Sequence, residues 1–206
     1  MKYSHTFKSL FSLWILLGLM ASSVQADKLS LTVVDKGVEI DAGSTGKFII
    51  GAPPLTLENG KTEKATFTVN SKSSGEATYP CGAELKLQIK GDEIQYEYDI
   101  PDNGKSFMFD MLIPIKFNQG GEYALGKSEL QEFPEEHQGQ FLTQGNGKSA
   151  FTLLNAKGKG FSLETQGHWQ ALQDNREFDW PIFVYKVLVD LKAAQGKDII
   201  ITITSR

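Results

Sequence analysis

The chain has 206 residues with formal net charge −4, 40% hydrophobic residues and a single cysteine. An acidic surface without clustered Lys and Arg excludes a phosphate-gripping nucleic-acid binder. A lone Cys81 excludes an intramolecular disulfide, so the fold must rest on its core; a buried apolar thiol is the ordinary role for such a residue, ahead of a nucleophile with a histidine partner.

In chain order, Lys2 and Lys8 precede an apolar run from Leu10 to Met20, and Val24 and Ala26 then supply small residues for signal peptidase. This pattern predicts a secretory signal over residues 1–26, too short to span a bilayer, with cleavage after Ala26. The expected mature chain starts at Asp27 and is secreted or periplasmic, with no membrane span. It loses two lysines and no acid, which takes the net charge from −4 to −6. One domain over residues 27–206 is expected, with no repeat and no break in composition.

From Lys28 onward, short alternating or β-branched segments recur with turn residues between them, while helical periodicity is missing. Strands are expected at Lys28 to Val34, Gly37 to Asp41, Lys47 to Ile50, Lys64 to Val69, Ala83 to Lys90 and Glu93 to Ile100. Others follow at Ser106 to Ile113, Glu122 to Leu125, Ser149 to Leu154, Gly160 to Gln166, Trp169 to Gln173, Ile182 to Leu191 and Asp198 to Ser205. Gly91-Asp92 joins the clearest hairpin, because Leu85, Leu87 and Ile89 alternate before it and Ile94, Tyr96 and Tyr98 after it. The paired tyrosines Tyr96 and Tyr98 read as core rather than as a platform. Val69 to Cys81 and Gln131 to Gly147 read as loops. The pattern predicts an all-β, two-sheet antiparallel β-sandwich, jelly-roll-like.

The segment Gly167 to Pro181 gathers His168, Trp169, Gln173, Asp174, Asn175, Arg176 and Trp180. An indole plane stacks on the apolar face of a pyranose, and Asp, Asn, Gln and Arg bond its hydroxyls. A carbohydrate-binding face for a polysaccharide or oligosaccharide is therefore expected here, without catalysis. The competing structural reading makes Trp169 and Ala171 the inward side of a strand and Arg176 one half of a salt bridge. Two enzymatic readings use the same residues. A glycosidase would set Asp174 against Glu177 or Asp179, and a polysaccharide lyase would draw on His168, Arg176, Gln173 and Tyr185. A protein-binding envelope sandwich is the third alternative. With only His137 and His168 after the leader, no transition-metal site and no cofactor is expected; a structural calcium on Asp102, Glu135 or Glu136 stays open.

Trp169 to Arg176, Phe183-Val184-Tyr185 and the closing Gly196-Lys197-Asp198-Ile199 resemble the β-sandwich domains attached to secreted bacterial polysaccharide-degrading enzymes. The resemblance covers roughly the last forty residues and carries no catalytic motif. It implies a sugar-related context.

Overall fold

A computed structural model describes residues 28–206; the expected leader and its cleavage point lie outside the described residues. The described residues form the all-β, two-sheet antiparallel sandwich that the alternation predicts, with nine strands in each sheet. In chain order these are β1 (Ser30–Val34), β2 (Gly37–Asp41), β3 (Lys47–Gly51), β4 (Leu55–Leu57), β5 (Thr62–Glu63), β6 (Thr66–Ser71), β7 (Ser74–Thr78), β8 (Glu84–Lys90) and β9 (Glu93–Asp99). They continue with β10 (Gly104–Pro114), β11 (Glu122–Leu125), β12 (Gln131–Glu132), β13 (Phe141–Asn146), β14 (Ser149–Leu154), β15 (Gly160–Thr165), β16 (Trp169–Asp174), β17 (Ile182–Asp190) and β18 (Ile199–Ser205). A four-residue helix, α1 (Leu191–Ala194), caps β17; the Asp190 side chain accepts from the N–H groups of Lys192 and Ala193.

Sheet A runs β1-β2-β3-β10-β17-β16-β13, with β4 and β5 attached to β10; sheet B runs β12-β11-β14-β15-β18-β9-β8-β7-β6. All the pairings are antiparallel. The chain changes sheet repeatedly, and one hydrophobic cluster joins the two inner faces. From sheet A come Phe107, Phe109, Met111, Phe183, Tyr185 and Val187, and from sheet B Tyr96, Phe151, Phe161, Leu163 and Ile201. The rings of Phe151 and Tyr185 stack at 4.3 Å and 13° across the gap. Burying each such side chain stabilises the fold by ~1.5–3 kcal/mol. The Tyr185 hydroxyl donates to Gln170 Oε1 at 2.9 Å, which satisfies both polar groups inside the core.

Two expected loops contain strands. Residues 69–81 hold β7, whose Gly75 and Ala77 face the core; a Cβ at Gly75 would lie 2.8 Å from the Phe67 ring. Small residues are required at that crowded spot, and their low strand propensity is what makes the stretch read as a loop. Residues 131–147 hold β12 and β13, and β13 forms the edge of sheet A against β16. Cys81 is partly buried and packs against the core, as an apolar thiol does.

Candidate functional site

Strands β16 and β17 form a hairpin, and the segment between them, residues 175–181, turns at the end of sheet A. Asn175 closes it: its N–H donates to Ile182 O at 3.1 Å, and its carbonyl accepts from Phe178 N at 3.0 Å and Trp180 N at 3.3 Å. Asp179 takes the left-handed conformation at φ 55°, which short polar side chains tolerate, and this swings Trp180 outward.

The turn is braced from inside. Asp174 is fully buried, and its carboxylate accepts from Arg176 Nε at 2.9 and 3.1 Å, from Arg176 Nη2 and from the Arg176 backbone N–H at 3.1 Å. The other guanidinium donors go to the backbone carbonyls of Pro134 (3.1 Å) and Glu135. Its plane stands 5.3 Å from the centroid of Phe183. One side chain thus ties the hairpin to the segment 133–140, whose inner end is anchored by the buried ring of Phe133. The N–H of Asp174 completes the tie by donating to Gln140 O at 2.9 Å.

The seven residues singled out in the sequence consequently separate. Asp174 and Asn175 are buried, and four of the five guanidinium N–H groups of Arg176 are taken by protein acceptors, so the main work of these three is to position the turn. His168 and Trp169 lie at the opposite end of β16, on the order of 20 Å away at about 3.3 Å per residue. The Nδ1 of His168 accepts from Asp190 N at 3.1 Å, and Trp169 stands edge-on to Phe141 at 6.3 Å on the outer side of sheet A. Gln173, on that same outer side, pairs with Phe141 and Val184. Trp180 alone of the seven is a broadly exposed ring, at 48%.

Sequence reasoning missed the neighbour of Trp180. Phe178 is 57% exposed, the largest exposure among the big apolar side chains of the described residues. Around the two rings stand exposed Glu177, Asp179 and Pro181, and Glu177 Oε2 lies 3.6 Å from His137 Nε2. Phe178 and Trp180 at spacing two, either side of an acid, were the available signal.

The chemistry of the enzymatic readings is not assembled. Asp174 cannot serve opposite Glu177 or Asp179, because it is enclosed and fully hydrogen-bonded. Tyr185, named for a lyase, has its hydroxyl in the core, where burial pushes its pKa far up. Among the described residues no group of three or more His, Cys, Asp or Glu side chains could hold a metal ion, and Asp102, Glu135 and Glu136 form none. A cleft of about 450 Å³ on the outer side of sheet B, edged by Asn70, Glu76, Lys86, Gln88 and Gln95, has no aromatic ring in its lining. No helix among the described residues is long and apolar enough to cross a membrane. Comparison with protein-family models, with curated proteins and with solved structures gave no match for the chain.

Proposed function

We propose that this protein is a non-catalytic carbohydrate-binding sandwich whose contact surface is the β16–β17 turn. The observation that carries the reading is the exposure of Phe178 and Trp180 on a turn that Arg176 and Asp174 hold rigid. A ring fixed in advance loses little conformational freedom when a pyranose stacks on it, and such preorganisation favours affinity. Glu177, Asp179 and His137 beside the rings supply hydrogen-bond partners for hydroxyls. The acidic rim selects against uronates and sulfated sugars, so the ligand class is a neutral polysaccharide or oligosaccharide.

The test is affinity electrophoresis of the protein through gels containing neutral or acidic polysaccharides, alongside Trp180→Ala and Phe178→Ala. Retardation on a neutral glycan that is lost in both folded variants supports the reading. No retardation on any glycan rejects it.

A further inference from the structure

The outer faces of the two sheets differ in a way that solvent alone does not explain. An antiparallel sheet with one face on the core normally turns polar residues to water. Sheet B does so: Glu84, Lys86, Gln88 and Lys90 on β8 alternate with the core residues, as do Glu93, Gln95, Glu97 and Asp99 on β9. Sheet A does so only at its margins, where Glu39 and Asp41 on β2, Lys47 on β3 and Asp190 at the end of β17 face outward. Over its central strands the outward residues are Met108, Asp110 and Leu112 on β10, Val184, Lys186 and Leu188 on β17, and Trp169, Ala171 and Gln173 on β16, with Val184 and Ala171 buried among their neighbours.

Register converts these into three rows across the strands. Leu112 pairs with Val184, which pairs with Gln173; Asp110 pairs with Lys186, which pairs with Ala171; Leu188 pairs with Met108 on one side and Trp169 on the other. Two mainly apolar rows therefore flank one row that holds both charges of the three rows, and those two charges are bonded to each other, Lys186 Nζ to Asp110 Oδ2 at 3.1 Å. Leu112, near the middle of the sheet, is 45% exposed. The carboxylate is incompletely served: its Oδ1 is closed off from solvent and has no hydrogen-bond partner, while Lys186 is its one counterion.

We propose that this face is where two copies of the chain meet, sheet A against sheet A, about a two-fold axis passing through the Asp110–Lys186 pair. Adjacent opposite charges are self-complementary under such an axis: Lys186 of each copy falls beside Asp110 of the other, and four alternating charges replace two. Leu112, Met108 and Leu188 of each copy then close over one another around that ring, as the inner faces of a sandwich do at a spacing of about 10 Å. The surface requires no partner of different chemistry. It is separate from the β16–β17 turn and stands whether or not the turn binds sugar.

Analytical ultracentrifugation of the purified protein over a concentration series tests this. A concentration-dependent dimer is expected. Leu112→Lys should weaken it at least about a hundredfold, because two unpaired ammonium groups would be forced into the interface. Asp110→Lys and Lys186→Asp alone should each be monomeric through like-charge contact. Mixed together they should form the heterodimer, and the double swap should restore the homodimer. Thermal melts of every variant verify folding, and Leu112→Lys keeps the test independent of the ion pair within the chain. A protein that stays monomeric at every concentration overturns the proposal, as does a dimer that Leu112→Lys and the single charge swaps leave intact.

Discussion

The guanidinium of Arg176 lies against the fully buried carboxylate of Asp174, with Nε 2.9 Å from Oδ1, and reaches with two further donors to the carbonyls of Pro134 and Glu135, 42 and 41 residues earlier in the chain. A buried pair that has lost one member leaves an uncompensated charge, which costs far more than a surface ion pair contributes.

Arg176→Ala should therefore destabilise the protein by ~3–5 kcal/mol. At about 2–4 °C per kcal/mol for a chain of this size, calorimetry should find a melting point lower by roughly 6–20 °C. Arg176→Lys should recover only part of this, since an ammonium cannot reproduce the forked contact. A melting point within about 2 °C of the parent would refute the bracing role.

Trp180→Ala and Phe178→Ala should leave stability within ~0.5 kcal/mol, because both rings stand in solvent. Both should lose neutral-glycan retardation, whereas Trp169→Ala, at the far end of β16, should retain it. Loss of retardation in Trp169→Ala alone would move the sugar surface to the outer side of sheet A.

The Tyr185 hydroxyl and Gln170 Oε1 satisfy each other in the core at 2.9 Å. Tyr185→Phe strands the amide and should cost ~1–3 kcal/mol in urea unfolding. Adding Gln170→Leu should cost less than the sum of the two single changes, since no stranded group is left. Additive costs would mean that the bond has no energetic weight.

Burial pushes the Asp110 carboxyl above its ordinary range, and Lys186 beside it partly offsets that rise. The folded chain holds this proton more tightly than the unfolded chain. The group's contribution to stability is therefore fully present below the unfolded pKa of about 3.9 and is lost as pH rises through the folded value. Carbon-13 NMR titration should give an Asp110 midpoint above about 3.9, rising further in Lys186→Ala. A midpoint below that value would contradict the desolvated setting.

Alternation made the hairpin at Gly91-Asp92 legible: β8 and β9 pair from Lys90↔Glu93 to Glu84↔Asp99, with Leu85, Leu87, Ile94 and Tyr96 inside. The Ile199 to Ile203 pattern likewise marked an interior strand, and β18 does lie between β15 and β9. The site was less legible, for two physical reasons. In β17, Phe183, Val184, Tyr185, Val187, Leu188 and Val189 are apolar on both sides, so no parity in the sequence distinguishes core from outer face. Besides Asp174, the acceptors of Arg176 are backbone carbonyls of a distant segment, and any residue type supplies those. The polar and aromatic content of residues 168–180 was visible, but its division into braces and exposed rings needs the third dimension.

The place of β18 sets the order in which the molecule can be made. It joins β15 to β9 in the middle of sheet B, so that sheet remains two separate pieces until residues 199–205 have been synthesised. Such distant pairing is slow to nucleate, and unjoined strand edges adhere to one another. Sheet B is therefore completed only when β18 docks between β15 and β9, and until then the two pieces present open strand edges that can adhere to other chains.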